Sequence, residues 1–163
     1  MVNNKRAVPW VSLQGLPVFT LSDGIKTGMV EDYYLDGGSN EVRGFRVNYG
    51  IYGYRALLSE FIREIRPDVI VTDNPQMLIN PRHDGRLPVL ILGSALRSYT
   101  LMSESGQTIG TVADTILDTY PPNALRVTGF VVSNTRAVVP ANAATRYDKN
   151  VIYILDKVAR RYT

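Results

Sequence analysis

Apolar residues in this chain fall mostly into short runs, and many of the runs alternate with polar positions. "GMVEDYYLDG" (28–37), "VRGFRVNY" (42–49) and "VTGFVVS" (127–133) read as strands, rich in Val, Phe and Tyr and bounded by Gly, Asn and Asp. "SDGIKTG" (22–28) and "SESGQTIG" (103–110) read as tight hairpin connections, with glycine supplying the positive φ. "DGGSNE" (36–41) and "DTYPPN" (118–123) are the next turns. One segment carries helical spacing. In "LLSEFIREI" (57–65), Leu57, Leu58, Phe61, Ile62 and Ile65 fall on one face and predict a helix. "VVPANAATRY" (138–147) predicts only a shorter turn, and "DVIVTD" (68–73) and "NVIYILD" (150–156) predict closing strands.

The pattern occurs twice. Gly28 and Gly110, Asp32 and Asp114, Leu35 and Leu117, and Asp36 and Asp118 are each 82 positions apart. "RGFRV" (43–47) returns as "TGFVV" (128–132) at an offset of 85, and "RALL" (55–58) as "RAVV" (136–139) at 81. "DVIV" (68–71) returns as "NVIY" (150–153) at 82. Four blocks in order at nearly constant spacing predict a duplicated unit. Repeated short strands with little helix predict a mainly β protein, two small β-barrels in tandem with one or two short helices. The divisions expected are an N-terminal segment (1–12), a first repeat (13–79), a turn-rich linker (80–91), and a second repeat with a basic tail (92–163).

These blocks resemble the PRC-barrel family: "G-x-V-x-D…LD", then "GF-V", an apolar turn and "VIV". The resemblance covers roughly 13–74 and 92–160. It implies a small β-barrel module in each half. Family members form the cytoplasmic part of the H subunit of purple bacterial photosynthetic reaction centres and part of a ribosome maturation factor. The chain departs from both. It pairs two PRC-like halves, without the H subunit's transmembrane helix or the maturation factor's other barrel domain.

Charge narrows the partners. Lys and Arg number 18 against 15 Asp and Glu, a net charge of +3, spread along the chain apart from Lys5–Arg6 and Lys157, Arg160 and Arg161 at the ends. That is too mild for a dedicated nucleic-acid binder, although basic ends suit an anionic membrane surface. No signal-peptide pattern and no apolar run of bilayer length are present, so a cytoplasmic location, peripheral on the inner membrane at most, is expected. The chain has no cysteine, so thiolate chemistry is excluded.

Candidate chemistry is sparse. Asp32 with Asp36 suggests general acid–base work or a divalent-metal site. Their recurrence in both halves favours carboxylates that serve turns and strand ends. His83 beside Asp84 suggests a dyad, but the surrounding Pro81 and Gly85 mark an exposed turn. No catalytic residue, cofactor or metal is expected. Residues specific to one half are better candidates for partner contact. They are Tyr49, Ile51, Tyr52 and Tyr54 in "NYGIYGYR" (48–55), Tyr120, Pro121 and Pro122 in the second half, and Trp10 ahead of the first. Tyrosine offers rigid apolar area with a polar tip. Arg46 and Arg55 beside the tyrosines would also suit base stacking. Trp10 would either tie its segment to a barrel or insert into a partner.

The expectation is a non-catalytic adaptor or structural subunit with a protein partner, alone or as a homo-oligomer. By resemblance, the most specific partner is the cytoplasmic face of a photosynthetic reaction centre or similar membrane complex. The alternative is a ribosome-maturation-type factor that binds a ribosomal protein or RNA. A small ligand-binding or catalytic barrel would need a cavity with converging polar groups.

Overall fold

The duplicated blocks become duplicated strands. The computed structural model describes residues 7–163, and the fold is mainly β. The first half holds β1 (Ala7–Pro9), β2 (Pro17–Thr20), β3 (Ile25–Asp36), β4 (Glu41–Asn48), β5 (Tyr54–Leu58), β6 (Ile62–Ile65) and β7 (Ile70–Thr72). A connecting stretch holds β8 (Leu78–Ile79). The second half holds β9 (Ile91–Leu92), β10 (Thr100–Ser103), β11 (Thr108–Asp118), β12 (Arg126–Val132), β13 (Val138–Pro140), β14 (Ala144–Asp148) and β15 (Val151–Ile154). Two four-residue α-helices, α1 (Trp10–Leu13) and α2 (Asp156–Ala159), and several short 3₁₀ turns complete the described residues.

The strand order β14-β15-β10-β11-β12-β4-β3-β2-β7-β6 reads the same from either end once equivalent strands are matched. At its centre β12 meets β4 through Arg126 opposite Glu41, two positions 85 apart. Val42 donates its N–H to the Leu125 carbonyl (2.9 Å), and Val127 donates to Asn40 (2.9 Å). Tyr33 and Thr115, equivalent at 82, share a hydroxyl–hydroxyl bond of 2.7 Å. Equivalent residues touching each other is the mark of a two-fold arrangement, here within one chain.

The segments ahead of each half are exchanged. β9 precedes the second half but pairs with β3 of the first, Tyr34 opposite Leu92 and Leu35 opposite Ile91. β1 precedes the first half but pairs with β11 of the second, Ile116 opposite Pro9 and Leu117 opposite Val8. The turns that follow, α1 and the 3₁₀ stretch Gly93–Ser98, bury Leu13 and Leu96 at matching positions. Residues 7–13 and 91–98 are thus a further repeated block with little sequence likeness. One hydrophobic cluster runs through both halves, from Val18, Phe45 and Ile70 to Leu101, Phe130 and Ile152.

The helix expected over 57–65 is not formed. Leu57 and Leu58 lie in β5 against β4, Ser59–Phe61 makes one 3₁₀ turn, and Ile62–Ile65 forms β6 against β7. Leu57 faces the main core while Leu58 joins a second cluster on the outer face, so both are buried. A strand covered on both faces loses its alternation and imitates helical spacing. The matching "VVPANAATRY" does the same: β13, a 3₁₀ turn at Ala141–Ala143, then β14. In each half this bent segment reaches both outer strands of its sheet, β4 and β7 in the first half and β12 and β15 in the second. No ladder joins β5 to β6 among the described residues, so strand pairing does not close a cylinder.

Candidate functional site

The repeated carboxylates shape the backbone. β3 carries an extra residue between Val30 and Asp32 relative to β4, and β11 carries one between Val112 and Asp114 relative to β12. Such a bulge takes backbone groups off the ladder. Asp32 accepts the next N–H, from Tyr33, at 2.9 Å, and Asp114 accepts that of Thr115 at 2.8 Å. Asp32 also accepts the Ser94 N–H at 2.9 Å and the Ser94 hydroxyl, which pins the exchanged segment to the first half. Asp36 accepts from the Gly38 N–H (3.0 Å) and Asp118 from that of Tyr120 (3.2 Å), as turn-opening carboxylates do. Between them, burial holds the Tyr33 hydroxyl well above the ordinary tyrosine range, against the smaller opposing effect of its bond to Thr115. It is a neutral hydrogen-bonding group rather than a base.

Asp84 is not paired with His83. Arg86 donates to it from Nε at 3.0 Å, from Nη2 at 2.7 Å and from its backbone N–H at 3.0 Å. The Arg86 side-chain bonds, then the backbone bond, lower the Asp84 carboxyl to about 2. An unfolded aspartate titrates at about 3.9, so this pairing stabilises the fold fully above roughly pH 4 and fades as the pH falls towards 2. In urea unfolding, the gap between the protein and Asp84→Asn should narrow from pH 4 to pH 2; a constant gap refutes the pairing.

The sequence candidates separate into three places. Trp10 is 2% exposed, edge-on to Tyr33 with ring centroids at 4.7 Å and stacked on Phe45 at 6.0 Å. It is a core residue, which corrects its reading as a partner contact: the exchange of β1 carries it inward. Tyr120 and Pro121 are exposed and line a cleft of about 430 Å³ over the β4–β12 junction, with Pro122 half-buried behind them. Charges in that cleft are of both signs, Glu41 and Asp118 against Arg43 and Arg126, and Arg43 already bonds Glu41 (3.2 Å) and Asp36 (3.5 Å).

The remaining tyrosines form the third place. Gly50 and Gly53, at φ 68° and 76°, let the chain turn back after β4. Tyr49 donates to the Gly53 carbonyl (2.8 Å), the Asn48 side chain accepts from Gly50 (3.0 Å), and Arg55 Nη1 donates to the carbonyls of Tyr52 and Tyr54 (3.1 Å each). The loop is therefore tied down by its own backbone while its tip stands in solvent: Ile51 is 94% exposed and Tyr52 65%. Tyr49, half-buried, anchors the loop on the core.

Behind this loop is a concavity of about 400 Å³ lined by Tyr34, Tyr54, Asn80, Pro81 and three arginines, Arg46, Arg55 and Arg82. It runs into an apolar trough of about 280 Å³ bearing Leu87, Leu90 and Leu92. The connecting stretch builds this trough: Leu87 packs with Tyr34, Ala56 and Leu58 in the outer cluster, so this turn-rich region is part of the packed fold. No family model matches the chain, and no curated protein matches it.

The chemistry of the concavity is one-sided. No acidic residue lines the concavity. Among the described residues Arg43, Arg63, Arg66 and Arg86 form ion pairs, while Arg46 and Arg82 form none. Arg46 sits over the Tyr54 ring, its Cζ 3.8 Å from the centroid, in a cation–π contact. Arg82 and Tyr34 were not legible as candidates. A signal existed, since "DYYLD" and "DTILD" differ at Tyr34, and "GFRV" and "GFVV" at Arg46. The basic ends are divided: Lys157, Arg160 and Arg161 are exposed at the C-terminal turn, whereas Lys5 and Arg6 lie outside the described residues. No helix among the described residues is long and apolar enough to cross a membrane.

Proposed function

We propose that this protein is a non-catalytic adaptor that docks onto a protein partner through the tyrosine loop of its first half. The observation that carries this is the exposed tip of Ile51 and Tyr52 on a loop fixed by backbone and Arg55 hydrogen bonds. A preordered apolar tip loses little conformational freedom on binding, which favours recognition. The duplicated carboxylates support a role without chemistry, because Asp32 and Asp114 accept backbone N–H bonds and Asp32 is further occupied by Ser94. The likeness to PRC-barrel sequences makes the cytoplasmic face of a photosynthetic reaction centre or similar membrane complex the most specific partner. The adaptor would cover that face from water.

Photo-crosslinking tests this. A benzophenone amino acid at position 51 should join the protein to one discrete polypeptide in intact cells, and Tyr52→Ala should reduce the product severalfold. The same probe at position 142, exposed in the second half, serves as the comparison. Equal products from both positions overturn the reading. A ribosomal protein as the sole product would replace the membrane complex with a ribosomal partner.

A further inference from the structure

The arginine concavity lies beside the proposed docking loop and is lined by the first half and the connecting stretch. Register matches Arg46 with Val131, since these face Asp32 and Asp114, and Tyr34 with Ile116, since these face Gly44 and Gly129. The glycines and aspartates common to both halves serve the backbone. Two of the residues that line the concavity, Arg46 and Tyr34, are positions where the halves differ, and Arg82 comes from the connecting stretch. The second half forms the same strands without these residues, so Arg46 and Tyr34 give the first half charge and aromatic area that the strands themselves do not require.

We propose that the concavity receives an acidic segment of the protein partner, its carboxylates on Arg46 and Arg82 and an apolar side chain in the adjoining trough. This rests on the docking reading above and names the partner's chemistry. Guanidinium forks match carboxylates in two-point hydrogen bonds. Arg46 is held in place by Tyr54, and Arg55, tied to two carbonyls, adds positive potential at the rim. Leu87, Leu90 and Leu92 present apolar surface within the same opening, so the site is built for charge and an aliphatic group together. A phosphate alone would use the arginines and leave the trough empty. A nucleic acid would ask for a basic stripe, and net +3 spread over 163 residues does not supply one.

The probe is a capped hexapeptide of two central leucines flanked by aspartates, titrated into the full chain and followed by NMR at arginine Nε and leucine methyl groups. Resonances of Arg46, Arg82, Leu87 and Leu92 should shift together and saturate, and affinity should weaken with added salt. Arg82→Gln, on an exposed turn where folding is not at stake, should weaken binding roughly fivefold, and Arg46→Gln with Arg82→Gln more than about tenfold, as charge pairs lost from an interface do. The same peptide with asparagine for aspartate should bind at least tenfold more weakly.

Equal binding of the asparagine peptide, no saturable binding of the acidic one, or unchanged affinity in the double variant overturns the inference. So does arginine-dependent binding to phosphatidylserine vesicles without peptide binding, which makes the face a membrane contact. Cross-linking at position 51 is scored separately. If it persists undiminished in the double variant, docking stands and the acidic site falls. If it is absent in the unaltered protein, docking falls while the titration still reads the site.

Discussion

Gly44→Ala should destabilise the fold by about 3 kcal/mol or more, whereas Gly129→Ala, at the equivalent position, should cost about 1 kcal/mol. A Cβ on Gly44 would stand 2.4 Å from the Leu57 carbonyl oxygen and 2.8 Å from the Leu58 Cα, both backbone atoms of the paired strand. Neither can move without breaking the β4–β5 ladder. A Cβ on Gly129 would meet Val138 Cγ1 at 2.6 Å, and its next neighbour is at 3.6 Å. Val138 is 47% exposed and can rotate away into solvent. Urea unfolding of both variants measures the difference, and equal costs would refute it. Should the Gly44 variant not fold, its absence beside a folded Gly129 variant is the same result in extreme form.

Trp10→Ala should cost about 3–5 kcal/mol, the usual loss for a buried aromatic truncated to a methyl group. The indole fills the space between Tyr33 and Phe45. Equivalent positions compensate for one another here. Gly93, matched to Trp10 by the exchanged strands, leaves its space to Tyr33, whose ring carbon Cε1 would lie 2.0 Å from a Cβ there. Thr115, matched to Tyr33, lines the small space beside Trp10. Large meets small on both sides of the pseudo-axis, so neither half packs without the other's segment. Loss of Trp10 should therefore also raise hydrogen exchange in β11, where β1 pairs, more than in β3. Trp10→Phe should keep most of the stability. A cost below about 1 kcal/mol for the alanine variant would fit a surface residue and would refute the core role.

Much of the architecture was legible because local chemistry carries it. Asp36 and Asp118 open turns, Gly24 and Gly106 take positive φ (67° and 99°), and the alternating blocks became strands at the expected places. The offset of 82 became a physical contact between Tyr33 and Thr115. The misreadings share one cause, burial by residues distant along the chain. Leu57 and Leu58 looked helical because a separate cluster covers the outside of β5. Trp10 stood between a tie to a barrel and a partner contact because nothing near it in sequence covers it; Phe45, 35 positions away, does. The arginine concavity gathers β3, β4, β5 and the turn at Pro81–His83, and spacing along the chain does not report such convergence.

A duplicated, mainly β chain, its turns and the carboxylates that serve those turns and strand ends could all be read from the residues in order. These depend on neighbours a few residues apart, whose preferences are written locally. Long-range packing set the rest: the leading segments change places, Trp10 is interior, and Arg46 and Arg82 share an opening that no carboxylate lines among the described residues. Those outcomes depend on which distant surfaces exclude water together, a choice made by the packing of the whole chain and not by any one stretch of it.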